Sequence, residues 1–226
     1  MSAVAKSPRQ TPDGEPQPAL KSDPKADKIE ARRKAIIEVA RDVFLTQGYA
    51  AASMSEIAAR VGGSKGTLYN YFRSKEELFA AFMVDACQGA ANAAYLHLPA
   101  ADGDLRGGLI DFGELFLTFL LNDQVMAIHR LVIAEAGRFP ELGRVFYENG
   151  PRKGETKLKA FFDEVASSGK LRPYDTLSLA RWFRDMVFCD IYSRALWNVL
   201  GEPTPQQIRQ HAVEAADIFL AAFRPE

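Results

Sequence analysis

Apolar residues recur about every three to four positions through most of the chain, which is the spacing of helices that bury one face. The first helix is predicted over residues 28–47, and Gly48 is expected to end it. Its apolar stripe consists of Ile29, Ala35, Ile36, Val39, Ala40, Val43 and Phe44. No segment alternates apolar and polar residues as a half-buried strand does, so the sequence predicts an all-α fold.

Capping signals mark where the following helices begin. Ser53 and Ser74 each start an S-x-x-E pattern, which is typical of a capping box at a helix N-terminus. Gly62 is placed to end the helix that Ser53 opens, and a third, short helix is predicted from Ser64. The helix that Ser74 opens is expected to continue to residues 98–99.

Helical spacing also continues through the rest of the chain. Residues 105–121 are apolar on nearly all sides, so this helix is expected in the interior. Thr204, Pro205 and Gln207 form an N-terminal cap for the last helix. The helices of this part are predicted over residues 105–121, 124–139, 140–149, 151–168, 176–200 and 205–223.

Composition divides the chain into three parts. Residues 1–26 contain five prolines and few large apolar side chains, which predicts a disordered tail. A basic arm that reaches DNA is the alternative, and the zero net charge of residues 1–27 argues against it. Residues 27–74 are predicted to form a small three-helix domain, and residues 75–226 a larger helical domain.

Charge is distributed unevenly along the chain. The formal net charge is -1, yet residues 28–75 hold nine Lys and Arg against four Asp and Glu, a net charge of +5. The residues after position 75 hold 15 against 21, a net charge of -6. A basic segment beside an acidic body indicates a local anionic partner.

Several classes of protein are not indicated by the sequence. No apolar run approaches the roughly 20 residues that span a bilayer, and the N-terminus lacks the apolar segment of a secretory signal. Cys87 and Cys189 are far apart, which fits a reducing cytoplasm, and their helical surroundings favour inert thiols over a redox switch. His97, His129 and His211 form no metal-binding or nucleophile motif. The chain is therefore predicted to be cytoplasmic, without metal or cofactor, and not an enzyme.

The segment "GGSKGTLYNYFRSK", residues 62–75, places a glycine turn between two short helices that follow a longer one, as in a helix-turn-helix unit. Leu68 and Phe72 are four residues apart and are expected to face inward. The outward face then carries Lys65, Gly66, Thr67, Tyr69, Asn70, Tyr71 and Arg73. These side chains suit contacts with phosphates and base edges. A nucleotide phosphate loop is excluded, because the lysine precedes the second glycine and no strand comes before it.

The stretch "AIIEVARDVFLTQGYAAASMSEIAARVGGSKGTLYNYFRSKEELF" resembles the N-terminal domain of the TetR/AcrR family of bacterial regulators. Gly63 departs from the family pattern, which has a small apolar residue there. The resemblance implies a homodimer whose reading helices enter successive major grooves of a pseudo-palindromic double-stranded DNA operator. The same resemblance implies that four residues of the reading helix lie at or near the DNA bases, namely Lys65, Gly66, Thr67 and Tyr69. Phosphates are held by Ser53, Ser55, Tyr71 and Lys75.

Each of these assignments has a structural alternative. Tyr69 and Tyr71 would instead pack in the core of the small domain, although helical spacing lets at most one of them lie beside Leu68 and Phe72. Asn70 is a candidate because it lies on the outward face. The alternative for Lys65 and Lys75 is a solvated face that binds nothing.

The resemblance also implies functions for the larger domain. The family dimerises through its last two long helices, and residues 176–200 and 205–223 independently look too apolar to face water. Burial of both helices within one subunit is the competing interpretation. Residues 130–151 resemble an AefR-like subgroup. The candidate walls of an effector pocket are Phe112, Phe116, Phe119, Met126, His129, Ile133, Phe162, Trp182 and Met186. Such residues at helical spacing are more often core, and His129 and Glu135 are possible polar anchors.

Together these patterns predict a sequence-specific DNA-binding repressor that a small apolar or aromatic ligand releases from its operator. A dimeric interaction protein that kept the fold without binding DNA is the alternative, and the charge of residues 28–75 argues against it. Activation rather than repression stays open, since it depends on operator position. The operator sequence and the effector are not encoded in any pattern of the chain.

Overall fold

The computed structural model describes residues 24–88, 90–100 and 102–225. Within them the chain forms twelve α-helices and no strand, which confirms the all-α prediction. The helices are α1 (Pro24–Ala51), α2 (Met54–Val61), α3 (Lys65–Tyr69), α4 (Lys75–Gln88), α5 (Ala90–Tyr95), α6 (Leu105–Leu120), α7 (Asp123–Glu135), α8 (Pro140–Asn149), α9 (Pro151–Ser167), α10 (Thr176–Phe188), α11 (Ile191–Leu196) and α12 (Pro205–Phe223).

The first helix is longer than predicted at both ends. It begins at Pro24, where a proline suits the first position, so the last three residues of the predicted tail are helical. Residues 1–23 lie outside the described residues. Gly48 interrupts α1 with φ 81° and ψ 164°, a backbone conformation that glycine adopts without steric cost. After this break, a short helical segment extends to Ala51.

The N-terminal core draws on more than the first three helices. Phe44, Tyr49, Phe79 and Phe82 of α1 and α4 pack ring against ring, with centroids 5.4–6.2 Å apart. Three buried side chains of α7 and α8 complete this cluster: Ile128, Val132 and Leu142. The small domain therefore rests directly on the following helices instead of being joined to them by a flexible linker.

A second, C-terminal core lies among α6, α9, α10 and α12. Its centre is a group of fully buried rings in mutual contact: Phe112, Phe162, Phe183 and Phe219. Gly113 permits the close approach of α6 to α12, because a Cβ at this position would lie 3.1 Å from the Ala212 side chain. This packing uses most of the apolar surface of α10 and α12 inside one subunit.

Two helices predicted as continuous are divided in the structure. The prediction of one helix over residues 176–200 is wrong, because Asp190 has φ 28° and separates α10 from α11. Arg130 of α7 donates to the Ala195 and Leu196 carbonyls at 2.7 and 3.0 Å, which holds α11 in its separate direction. The helix expected to reach residues 98–99 is described as α4 and α5 on either side of residue 89 and ends at Tyr95.

The described residues contain no single helix long and apolar enough to cross a membrane. Helices α6 and α7 meet that length and composition only as a pair, and they are bent by 69° at their junction.

Candidate nucleic-acid interface and ligand cavity

The turn between α2 and α3 has the geometry of a helix C-cap followed at once by an N-cap. Gly62 is left-handed, with φ 73° and ψ 45°, and the Gly63 N–H donates to the Ala58 carbonyl at 3.0 Å. The Ser64 hydroxyl then accepts the Thr67 N–H at 3.1 Å and opens α3. Only three residues, Gly62, Gly63 and Ser64, therefore separate the two helices.

The outward face of α3 is the one that the sequence predicts. Leu68 and Phe72 are buried, with 3% and 0% exposure. Five of the candidate DNA-contacting residues are exposed: Lys65, Gly66, Thr67, Tyr69 and Asn70. Tyr69 is 41% exposed, whereas Tyr71 is half-buried against the N-terminal core, so the two tyrosines occupy different environments.

The remaining candidates lie at the helix starts around α3. Ser53 and Ser55 are exposed, and the Ser53 hydroxyl accepts the Glu56 N–H at 3.2 Å. Lys75 is half-buried and already engaged, because its ammonium donates to the Tyr49 carbonyl at 2.8 Å and to the Ala52 carbonyl at 3.0 Å. The local sequence pattern does not indicate these two hydrogen bonds of Lys75.

Gly63, the residue that departs from the family pattern, lies under an arginine of α1. A Cβ at this position would lie 3.2 Å from the Arg32 guanidinium, which itself reaches the Gly62 carbonyl at 3.5 Å. Arg33 lies 4.9 Å above the ring of Phe72. One cation of α1 therefore lies beside the turn and another over Phe72, and sequence reasoning, which followed only α2 and α3, missed both.

A cavity of about 520 Å³ lies between the two cores and is bordered by residues of α4 to α11. Three of the predicted wall residues line it, namely Phe116, Phe119 and His129. The other six do not: Phe112, Met126, Ile133, Phe162, Trp182 and Met186. A second cavity of about 510 Å³ borders the first and shares Ala86, Phe119 and Val125 with it.

The six other candidates have identifiable places elsewhere. Phe112 and Phe162 are in the C-terminal core, and Met186 packs against that core. Trp182 stacks on Phe223 at the outer side of α10, with centroids 5.6 Å apart. Met126 is buried, and Ile133 is 63% exposed. Helical spacing identifies which residues share a face, but it does not say which face borders a void.

Sequence reasoning missed most of the aromatic side chains that line the cavity. They are Tyr95, Phe146, Tyr147, Phe188 and Tyr192. Phe188 and Tyr192 are four residues apart, which was an available signal, but this stretch was assigned to a dimer interface. Their rings lie 5.1 Å apart and continue the stack of Phe116 on Phe188.

Two polar groups of the cavity wall, the His129 imidazole and the Glu155 carboxylate, have partners that the structure defines. Burial lowers the pKa of His129 to about 4, so its imidazole is neutral at pH 7. His129 Nδ1 and the Tyr192 hydroxyl are hydrogen-bonded at 2.7 Å. The Glu155 carboxylate is buried and accepts hydrogen bonds from Arg184 and Arg181. Among the described residues, no cluster of three His, Cys, Asp or Glu side chains is placed to hold a metal ion.

Two family models match the chain. Residues 36–82 match "Bacterial regulatory proteins, tetR family", and residues 107–225 match "AefR-like transcriptional repressor, C-terminal domain". The chain belongs to the TetR family. Membership confirms the resemblance and, with the relatives below, makes the protein a DNA-binding transcriptional regulator, since the family and these relatives are regulators and not enzymes. It also implies operator DNA, dimerisation and small-molecule effectors.

Three relatives show how far the similarity extends. YhgD of Bacillus subtilis (strain 168), an uncharacterised HTH-type transcriptional regulator, is 44% identical over 154 residues, 64% of this chain and 74% of that protein. The transcriptional activator FasR of Mycolicibacterium smegmatis is 48% identical over 52 residues, only 23% of this chain and 24% of FasR. The structure of the flavonoid-responsive regulator FrrA is 32% identical with a TM-score of 0.75, over 87% of this chain and 99% of FrrA.

Proposed function

We propose that this TetR-family protein is a repressor that binds a pseudo-palindromic operator as a homodimer and leaves it when an aromatic ligand fills the cavity. The observation that carries the proposal is the joint presence of an exposed polar α3 and a cavity of about 520 Å³ in one continuous packing unit. Repression is favoured because the C-terminal match is to an AefR-like repressor domain. The protein would act in the cytoplasm, where bacterial DNA is.

The reading surface is α3 with the start of α4. Lys65, Thr67 and Tyr69 project from the exposed face of α3 and are proposed to meet bases or their immediate phosphates. Gly66, between Lys65 and Thr67, keeps the helix free of a side chain where it approaches the groove. Asn70, Tyr71, Ser53, Ser55 and Lys75 surround this face and are proposed as the phosphate-positioning set.

The homodimer is proposed to form through the outer faces of α10, α11 and α12. The inner faces of α10 and α12 are already buried in the C-terminal core. What is left for a second copy are the exposed apolar side chains on or next to these helices, and Trp197, Val199 and Ile218 are each at least 60% exposed. Large apolar side chains left exposed on α12 and in the segment after α11 favour a protein interface at these elements.

The aromatic character of the ligand is supported by seven aromatic side chains on the cavity wall. Rings of a ligand would stack or pack edge-on among them, as Phe116, Phe188 and Tyr192 already do with one another. The volume is within the range of about 300–1,000 Å³ that drug-sized ligands occupy. FrrA, whose structure aligns with 87% of this chain, is a flavonoid-responsive regulator. Flavonoids are aromatic, so the proposal of an aromatic effector for this chain is consistent with that similarity.

Helix α7 is the proposed connection between ligand and DNA. Its middle, with Ile128 and His129, lines the cavity, while Ile128 and Val132 are also part of the N-terminal core. At its end the Glu135 carboxylate accepts the Ala50 N–H at 3.4 Å, next to the break in α1. A ligand that displaces α7 would therefore shift the small domain and change the spacing of the two reading helices.

Selection of bound sequences from random double-stranded DNA tests the DNA-binding part of the proposal. The enriched sites should be pseudo-palindromes with half-sites about 34–36 Å, one helical turn, apart or a multiple of that distance. Affinity for the selected operator should fall steeply between about 50 and 200 mM salt. No enrichment together with a flat salt response would favour the non-DNA interaction protein.

Release is tested on the same operator by adding aromatic compounds while following the anisotropy of labelled DNA. A ligand-responsive repressor loses the operator at saturating ligand, to the extent set by the difference in ligand affinity between the free and DNA-bound conformations. A ligand that fills the cavity without changing operator affinity would contradict the regulatory part alone.

A further inference from the structure

Arg32 of α1 lies over the turn between α2 and α3. One of its guanidinium nitrogens is 3.5 Å from the Gly62 carbonyl oxygen and would be 3.2 Å from a Cβ at Gly63. The same Cβ position is 3.9 Å from the Cβ of Thr67, an exposed residue of α3. The guanidinium of Arg32 and the side chain of Thr67 therefore both border the space above Gly63, at the edge of the face proposed to read DNA.

Most of the hydrogen-bonding capacity of Arg32 is unused among the described residues. A guanidinium has five N–H donors, and the contact of 3.5 Å with the Gly62 carbonyl is longer than an ordinary hydrogen bond. Arg41 and Arg60, in the same part of the chain, pair with Asp42 and Glu56. None of the described residues forms an ion pair with Arg32, so its positive charge is available to an anion from outside.

The adjacent Arg33 occupies a different environment. Its guanidinium lies 4.9 Å from the centroid of the Phe72 ring, which is fully buried. Consecutive residues of a helix point roughly 100° apart, so Arg33 packs on the N-terminal core while Arg32 extends to the turn. Packing therefore accounts for Arg33 but not for Arg32.

The space that Arg32 occupies depends on Gly63. Unlike Gly62, Gly63 does not have a positive φ, so its backbone conformation does not require glycine. What this glycine contributes is the absence of a side chain. Valine at this position would place its Cβ and two methyl groups where the guanidinium now lies.

We propose that Arg32 binds an operator phosphate beside α3, and that Gly63 leaves the space in which the guanidinium reaches it. The planar fork of an arginine fits two oxygens of one phosphate. This inference rests on the proposed function, since it takes α3 to be the helix that reads the operator. It also gives a physical reason for the departure of Gly63 from the family pattern.

The experiment titrates the full-length protein against a fluorescein-labelled duplex of the selected operator and follows anisotropy at several salt concentrations. R32Q should raise the Kd about tenfold, the effect of losing one hydrogen bond to a charged group. The slope of log affinity against log salt should decrease by about one for each phosphate contact that is lost. K34Q is the matched control, because it removes an exposed charge of α1 two positions away, and it should leave the slope unchanged.

Two further variants separate a phosphate contact from support of the turn. R32K keeps the charge but not the fork, so it should retain the salt slope of the unchanged protein with an affinity between those of the unchanged protein and R32Q. The urea midpoint of R32Q should equal that of the unchanged protein. A lower midpoint together with an unchanged salt slope would mean that Arg32 only supports the turn, and this result overturns the inference.

A double-mutant cycle tests the contribution of Gly63. G63V should weaken operator binding about as much as R32Q, and adding G63V to R32Q should weaken it little further, because both changes remove the same contact. If G63V weakens R32Q as much as it weakens the unchanged protein, Gly63 does not act through Arg32.

Unchanged affinity and salt slope in R32Q also overturn the inference, provided that the unchanged protein binds the operator with a steep salt dependence. The proposed function fails by a different result, in which the unchanged protein selects no operator and its DNA binding responds little to salt. The behaviour of the unchanged protein therefore distinguishes the two failures.

Discussion

The ammonium of Lys75 lies 4.2 Å from the ring centroid of Tyr49 and donates to the carbonyl of that same residue at 2.8 Å. The Tyr49 hydroxyl in turn donates to Glu76, the next residue of α4, at 3.1 Å. Hydrogen bonds therefore connect the first turn of α4 to residues 49–52, which follow the break at Gly48. An ammonium has three donors, and two are used here, so the phosphate contact proposed for Lys75 would use the third.

Replacing Lys75 with methionine should therefore lower stability as well as operator affinity. Two hydrogen bonds from a charged group and a cation–π contact are lost, and we expect the free energy of unfolding to fall by about 1–3 kcal/mol. Denaturant unfolding measures this. K34M, which changes an exposed lysine of α1, is the control and should stay within about 0.5 kcal/mol. Unchanged stability of K75M with a loss of affinity would mean that Lys75 acts on phosphate only.

Lys65 should show the opposite behaviour. It is exposed, and its nearest ring contact is with Tyr69 at 5.8 Å, so K65Q should leave the unfolding free energy within about 0.5 kcal/mol of the unchanged protein. Operator affinity should fall, and the slope of log affinity against log salt should decrease by about one if the lysine meets a phosphate. Anisotropy titrations at several salt concentrations measure both, with K159Q as a distant control. An unchanged slope and affinity would remove Lys65 from the interface.

These two lysines show what sequence reasoning reaches and what it does not. The outward face of α3 followed from the four-residue spacing of Leu68 and Phe72, a purely local signal. The partners of Lys75 are carbonyls 23 and 26 residues earlier, and nothing in the local pattern indicates that they return to it. The outward face of α3 was therefore predictable, whereas the hydrogen bonds that hold Lys75 against the end of α1 were not.

The cavity illustrates the same limit more sharply. Phe112 and Phe116 are one turn apart on α6 and their rings stack at 5.2 Å, yet only Phe116 borders the cavity. Identical residue type and helical spacing thus lead to different surroundings, because the neighbouring helices close over one ring and leave a space beside the other. The direction of α11, which brings Tyr192 to that space, depends on the backbone at Asp190 and has no hydrophobic signature.

Gly48 is predicted to tolerate no side chain. Its φ of 81° disfavours any other residue, and a Cβ there would lie 3.0 Å from Glu135 Oε1, the atom that accepts the Ala50 N–H. We expect G48A to lower the free energy of unfolding by about 1–3 kcal/mol. G137A is a matched control, since a Cβ at Gly137 meets nothing within 4 Å. Equal stability of the two variants would show that the break in α1 is not under this constraint.

Glu135 provides a separate test of the connection through α7. E135A removes the acceptor of the Ala50 N–H but touches neither the cavity nor α3. The loss of one hydrogen bond should cost about 1 kcal/mol, and ligand affinity should be nearly unchanged. Operator release at saturating ligand should be weakened by about fivefold or more, the lower end of typical coupling between sites. Full release in E135A would mean that the coupling takes another route.

His129 predicts a dependence of stability on pH. Its pKa is about 4 in the folded protein because of burial, against about 6.5 in an unfolded chain, so the unfolded state binds more protons between these values. Stability is therefore complete above about pH 6.5 and is lost as the pH falls, by about 2–3 kcal/mol on reaching pH 4.5. The carboxylates with lowered pKa values, Asp163, Asp175, Asp217 and Glu76, lose their contribution only below this window.

Urea unfolding at intervals from about pH 7 to pH 4.5 measures the loss, and H129N should abolish most of it because asparagine does not titrate. H97N, which changes an exposed histidine, should retain the full dependence. Protonation of His129 would also place a charge beside the hydrogen-bonded Tyr192 hydroxyl inside the cavity, so affinity for a neutral aromatic ligand should fall over the same range. A stability profile for H129N that matches the unchanged protein would mean that His129 is solvated in the folded state.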